Sequence, residues 1–170
     1  MNLDIYDPYS GYEGNDIHHT AIIYPNVSMG KGNKIGPYCV IGSNGEIRGC
    51  DKFEGRVVIG DNNVISELVT IQVPKDKDST TNIGSNNIIM AHSHIGHDVK
   101  IGNNCEISTS SVIGGYVEIE DGAKIKLNVT IRNRKKIGKN CIVGMGSVVV
   151  KDVEDNMVVV GNPAKPLIKK

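Results

Sequence analysis

Large apolar residues recur at every sixth position of this chain. Starting at Ile17, the six-step passes through Ile23, Met29, Ile35 and Ile41, continues through Ile47, Phe53 and Ile59, and ends at Val143 and Val149; Lys77 is its only polar member. Four residues after each comes a second, mostly small set that includes Ala21, Val27, Cys39, Val57, Val69, Ser93, Val99, Cys105, Ser111, Val117, Ala123, Val129, Cys141 and Ser147. Neither a helical period of 3.6 nor strand alternation of two produces a strict six, so a turn must recur in each repeat. The turn position, three residues after the large apolar one, favours Gly32, Asn44, Asn62, Asn86, Asp98, Asn104, Gly122, Asn128, Asn140 and Gly146, residue types that accept positive φ at low cost. Each hexapeptide is then one side of a triangular prism, and three make a coil of eighteen residues. The expected fold is all-β: a parallel β-helix of about seven coils, roughly 35 Å tall at a spacing of about 4.8 Å per coil. One domain is expected over 1–170, with a lead-in at 1–16, coils over 17–153 and a cap over 154–170.

The pattern breaks in three places. From Pro74 to Thr81 a proline that cannot donate to a ladder precedes Lys77 in an inward slot, which predicts an outward loop over 74–81, either a plain surface excursion or the wall of a site. Arg132, Asn133, Arg134, Lys135 and Lys136 form a basic run, with Lys135 at a nominally small inward position; it is either a solvated corner or a seat for phosphates. Three of the five histidines, His92, His94 and His97, fall within six residues, and the repeat frame puts all three at outward or corner positions.

Composition narrows the classes. Nineteen Lys and Arg balance nineteen Asp and Glu, so no basic face calls for nucleic acid. The amino terminus lacks the basic start and apolar run of a secretion signal, and no stretch approaches the apolar length of a membrane helix, so a cytoplasmic protein without membrane insertion is expected. Cys39, Cys50, Cys105 and Cys141 have no C-x-x-C spacing and are expected to be free thiols.

The units IGDNNV, IGSNNI, IGNNCE and IGKNCI resemble the bacterial hexapeptide-repeat transferases over essentially the whole chain. That resemblance alone implies left-handed coiling, because parallel crossovers are right-handed in nearly all other proteins. VVIGDNNVISELVTIQ and NIGSNNIIMAHSHIGHDVKIGNN resemble the UDP-N-acetylglucosamine acyltransferase family of lipid A biosynthesis, and the His97-Asp98 pair also resembles sugar-nucleotide acetyltransferases of this fold. The resemblance implies that His97 is the general base and that Gly115 supplies an oxyanion-binding N–H. Acyl transfer from a thioester requires a proton to leave the attacking amine or hydroxyl, which an imidazole accepts near neutral pH, and a donor to meet the oxyanion. Gly115 lies one coil of eighteen after His97 and is expected directly above it, unless it serves only as a turn residue beside Gly114. Asp98 either orients the His97 ring or merely fills the recurrent corner. His94 is an acceptor contact by resemblance; Glu67 and Gln72 match acceptor-side positions more loosely.

The carboxy-terminal stretch CIVGMGSVVVKDVEDNMVVVGNPAKPLIKK resembles the closing coil of coenzyme A-dependent sugar acetyltransferases, and the resemblance places Gly144, Ser147, Lys151 and Lys165 along the pantetheine arm and phosphates. Pro163 and Pro166 equally serve as a cap. The lipid A enzymes carry further coils and a helical domain that helps engage an acyl carrier protein, and neither follows in this sequence. The expected co-substrates are therefore acetyl-CoA or another short acyl-CoA and a sugar nucleotide, with no metal, in a homotrimer whose sites lie between neighbouring prisms. Two alternatives stand beside this: a zinc protein of the γ-carbonic anhydrase kind, for which a third histidine is missing between His19 and His92, and a non-catalytic scaffold.

Overall fold

The computed structural model describes residues 11–167; the first ten residues of the expected lead-in and the last three of the expected cap lie outside them. Short strands stack into three parallel sheets that wrap a triangular, left-handed β-helix. Sheet A begins with Asp16–Ile17 and climbs through Lys34–Ile35, Val64–Ile65, Ile88–Ile89, Glu106–Ile107, Lys124–Ile125 and Ile142–Val143 to Val158–Val160. Sheet B holds Ile22–Ile23, Val40–Asn44, Thr70–Val73, His94–Ile95, Val112–Ile113, Thr130–Ile131 and Val148–Val149. Sheet C holds Val27–Met29, Arg56–Ile59, Thr80–Ile83, Lys100–Ile101, Glu118–Ile119 and Lys136–Ile137.

The six-step isoleucines point inward and stack on their equivalents: Ile89 pairs Ile107, Ile107 pairs Ile125 and Ile125 pairs Val143, all at 0% exposure. Corners recur with positive φ at nearly every turn position, and thirteen of them are not glycine, including the bulky Tyr38, Leu68 and Tyr116. Stacking therefore imposes the left-handed conformation even where the side chain disfavours it. Asn44 departs from expectation, because it ends the strand Val40–Asn44 and turns no corner.

That departure marks a loop the six-step conceals. Val40 pairs with Thr70, thirty residues on rather than eighteen, and Val27 with Val57 at the same separation. Of the twelve extra residues, two hexapeptides' worth, one is the bulge at Gly42 and eleven leave the prism as loop 45–55, so Ile47 and Phe53 keep phase without being coil positions. The second excursion is shorter than predicted: six extra residues leave as loop 74–79, while Thr80 and Thr81 already belong to the strand Thr80–Ile83. Lys77 is exposed at the loop's tip. The two loops bind each other through the Glu54 N–H to the Lys75 carbonyl (3.0 Å) and the Gly55 N–H to the Pro74 carbonyl (3.1 Å). Both leave the edge between sheets B and C.

The final coil runs past 153. Val158 pairs with Ile142 after a repeat two residues short, and Lys165–Pro166 then folds back antiparallel on Val159–Val160. Cys39, Cys105 and Cys141 are buried, and all four cysteines are free.

An asparagine ladder locks the lower half of the prism. Asn15, Asn33, Asn63 and Asn87 stack at one inward corner. The Asn33 Oδ1 accepts both the N–H (2.9 Å) and the Nδ2 (2.9 Å) of Asn63, and the Asn63 Oδ1 accepts the Asn87 N–H (2.9 Å). The Nδ2 groups of Asn63 and Asn87 reach the carbonyls of Gly84 and Gly102, each at 2.9 Å. Above Asn87 the column passes to Cys105, whose N–H ends the ladder on the Asn87 Oδ1 at 2.7 Å. Asn63→Ala strands the Asn87 N–H and the Gly84 carbonyl and is expected to cost about 2–4 kcal/mol in urea unfolding, against about 1 kcal/mol for Cys105→Ala, which removes a buried thiol and its weak bonds to the Asn103 and Glu120 carbonyls but strands no backbone N–H.

Candidate active site

His97 and Asp98 form the first regular corner above the two loops, on the edge between sheets B and C. The His97 Nδ1 is 2.8 Å from the Asp98 Oδ2, with the side chains 11% and 12% exposed. A carboxylate accepts only, so the neutral ring carries its proton on Nδ1 and leaves the lone pair on Nε2. Asp98 thus fills the corner, with φ 60°, and orients the ring as well. The frame predicts an exposed imidazole here; instead His97 is 9% exposed, with Gly45 of loop 45–55 packed against it. A Cβ on Gly45 would lie 3.0 Å from both the His97 Cβ and the Phe53 ring.

Gly115 lies directly over the imidazole. A Cβ there would stand 2.6 Å from Nε2 and 2.7 Å from Cε1, so a side chain and this ring position exclude each other. Among the described residues no acceptor takes the Gly115 N–H, while the Asn133 side chain covers the neighbouring Gly114. Tyr116 meets His97 edge-on, with ring centroids 5.0 Å apart at 90°, and the Arg134 guanidinium stacks 4.0 Å above the Tyr116 ring. A cleft of about 370 Å³ opens beside this group, lined by Asp78, Ser79, Asp98, Lys100, Tyr116 and Glu118 among others.

His94 lies on sheet B, one strand before the corner. Its Nδ1 contacts the Thr70 hydroxyl at 2.8 Å. Burial pushes its pKa below the ordinary 6.5; Glu46 on loop 45–55 opposes the shift, and His97 adds to it. Gln72 is buried at 5% exposure, and its carbonyl accepts the Thr81 hydroxyl at 2.7 Å. Glu67 and His92 stand apart: both lie on the edge between sheets A and B, joined by the His92 N–H to the Glu67 carbonyl at 3.2 Å, across the width of sheet B from His97.

The carboxy-terminal candidates divide. The Ser147 hydroxyl is buried and accepts the Gly161 N–H at 3.0 Å. Gly144 packs against Val160, and Lys165 is exposed on the returning strand. Lys151 lies three coils above His97 in the same column, about 14 Å at a coil spacing of about 4.8 Å, and is exposed. In the basic run the Lys135 Nζ reaches Asp152 (3.3 Å) and the Lys136 Nζ reaches Glu120 (2.8 Å). Glu46, Phe53, Thr70, Thr81 and Tyr116 were not readable as site residues, because the concealed loop gives no sequence signal and the rest fill ordinary slots of the repeat. Among the described residues no three His, Cys, Asp or Glu side chains gather to hold a metal, and no helix is long and apolar enough to cross a membrane.

A prism of hexapeptide coils, with a His–Asp pair at one corner and a glycine packed over the imidazole, is the architecture of the hexapeptide-repeat class. Residues 80–115 match the bacterial transferase hexapeptide family of six repeats. The chain is 42% identical over 119 residues to the acyl-[acyl-carrier-protein]–UDP-N-acetylglucosamine O-acyltransferase of Pseudomonas paraeruginosa, covering 67% of this chain and 46% of that protein. It is 34% identical over 189 residues to the enzyme of the same name from Pseudomonas putida, covering 89% and 73%. The UDP-N-acetylglucosamine acyltransferase structure from Bacteroides fragilis superposes with a TM-score of 0.86 at 32% identity, over 91% of this chain and 60% of that one. The chain belongs to the UDP-N-acetylglucosamine acyltransferase family. It spans about half the length of the first curated relatives it matches.

The depressed His94 pKa gives a pH dependence. Stability tied to a neutral His94 is complete above about pH 6.5 and is lost as pH falls through its lower folded value, because the unfolded chain binds the proton first. Thermal midpoints should decline below pH 6.5, and His94→Gln should flatten that decline.

Proposed function

We propose that this chain transfers an acyl group from a phosphopantetheine thioester to a hydroxyl or amino group of a sugar nucleotide, with His97 as general base. The observation that carries the reading is the 2.8 Å His97–Asp98 bond beneath Gly115. The acceptor's proton passes to the His97 Nε2 as its oxygen or nitrogen attacks the thioester carbon. The Gly115 N–H meets the oxyanion, and the tetrahedral intermediate collapses with the carbon–sulfur bond breaking and the proton passing to the leaving thiolate. The acceptor is placed at the corner itself, with His94 as its contact on the sheet B side and the polar cleft beside Asp98 on the sheet C side.

A short acyl-CoA is the proposed donor. Cationic groups higher on the same edge, Arg134 and Lys151, support a path for its phosphates. The Pseudomonas relatives are named for an acyl carrier protein donor, which presents the same phosphopantetheine thioester, so both donors belong in the assay.

With UDP-N-acetylglucosamine as acceptor, thiol release should be followed from acetyl-CoA, longer acyl-CoAs and acyl carrier protein. His97→Ala should lower kcat by on the order of 10² to 10⁴ with the fold retained by circular dichroism; full turnover would remove His97 as base. Gly115→Ala pushes the ring aside and should cost on the order of 10² or more.

We also propose self-association as a homotrimer. Tyr38, Leu68, Leu127 and Met145 are exposed along the edge between sheets A and B, and Met145 is 73% exposed. Ile22 and Val112 flank this ridge on sheet B, with Val64 and Ile88 on sheet A, whereas sheet C presents Lys100, Glu118 and Lys136 outward. A ridge of this kind marks a contact surface. Leu127→Glu with Met145→Glu should convert a trimer to monomers in light scattering.

A further inference from the structure

Corners of this prism are tied from coil to coil by one backbone bond. The N–H of the positive-φ residue donates to the corner carbonyl of the coil below: Tyr116 to His97, Arg134 to Gly115, Ser110 to Ala91 and Asn104 to Ser85, each at 3.0 Å. Asp98 is different. The coil below leaves the prism there as loop 74–79, so no corner carbonyl lies beneath it. Its N–H donates instead to the Thr81 Oγ1 at 2.9 Å, and that hydroxyl donates to the Gln72 carbonyl at 2.7 Å. Gln72 is the next-to-last residue of the strand before the loop and Thr81 the second of the strand after it, so a single hydroxyl ties both flanks of the loop to the corner that bears His97 and Asp98. Thr81 is 0% exposed in an inward slot that holds Val57, Val99 and Val117 in other coils.

We propose that Thr81 is a positioning residue of the active site: it fixes the Asp98 backbone and, through the Asp98 carboxylate, the orientation and tautomer of the His97 imidazole. Asp98 sits at φ 60°, and an unanswered buried N–H there is costly enough to turn the peptide. The carboxylate moves with it. A change of that kind frees the ring to exchange its proton between Nδ1 and Nε2, which removes the lone pair that faces Gly115. A second corner supplies a control, since the Tyr38 N–H also donates to a threonine hydroxyl, the Thr20 Oγ1 at 3.0 Å, with no His–Asp pair attached.

The inference rests on His97 as general base, but it is read first in the free protein. In ¹⁵N NMR without substrate, His97 should show a single Nδ1–H tautomer in the wild type and a mixture in the nearly isosteric Thr81→Val. In turnover, Thr81→Val should lower kcat about tenfold to a hundredfold with both KM values unchanged, and Thr81→Ser should restore tautomer and kcat together. Thr20→Val should lower the thermal midpoint while leaving both readouts in place. An unchanged tautomer in Thr81→Val overturns the proposal, as does an equal loss of kcat in Thr20→Val. If the valine variant does not fold, Thr81→Ala provides the same comparison. A shifted tautomer in Thr81→Val together with full activity in His97→Ala would sink the general-base reading and leave the positioning role of Thr81 intact.

Discussion

The structure depends on each coil satisfying the backbone of the next. Parallel stacking gives every strand between the ends of a sheet a partner on both sides, and the corner N–H groups add a second set of coil-to-coil bonds. Buried backbone groups must be paired, so a six-residue turn can repeat indefinitely but cannot be interrupted freely. The constraint is strong enough to hold Leu68, Tyr38 and Tyr116 at positive φ, where β-carbon sterics oppose them. Where chain is inserted, the donors it leaves must be answered from elsewhere, and the answers mark where the prism differs from a plain spacer.

Both insertions leave from one edge, and the site lies directly above them. Loop 45–55 brings Gly45 against His97 and the Glu46 charge toward His94. Loop 74–79 removes the carbonyl that would have held Asp98 and brings Asp78 and Ser79 to the cleft. A rigid scaffold thus supplies the His–Asp pair and its overlying glycine, while the interruptions supply burial and polarity around them. The same corner two coils higher, at Asn133 and Arg134, has the stacking but no loops beneath it and no acid–base pair.

The six-step carried most of the fold because one physical pattern, inward isoleucine plus a left-handed corner, is written into each repeat. It carried the stacking of Gly115 over His97 for the same reason: eighteen residues fix a coil wherever no chain is inserted. Loop 45–55 escaped because its eleven residues and the Gly42 bulge together add a whole number of repeats, with Ile47 and Phe53 falling by chance in apolar slots. The burial of His97 escaped with it, since Gly45 packs against it from that loop. Thr81 was hidden differently. A threonine in a small inward slot looks like packing until the missing carbonyl beneath Asp98 is known, and that absence exists only in the register of the strands.

Tautomer control explains why the histidine proposed as general base sits at a corner and not on a flat sheet face. On a face, His94 reaches only the hydroxyl of Thr70 from the strand below, and a hydroxyl both donates and accepts, so it leaves the ring's proton free to move. At a corner the following residue stands beside the imidazole, and an aspartate there is an acceptor alone. The left-handed turn that the repeat already requires therefore places the carboxylate where it dictates which nitrogen is bare. Acid–base chemistry needs that choice made before the substrate arrives. In this fold it follows from the geometry of the turn, provided the turn itself is held, and at Asp98 the bond that holds it comes from a side chain.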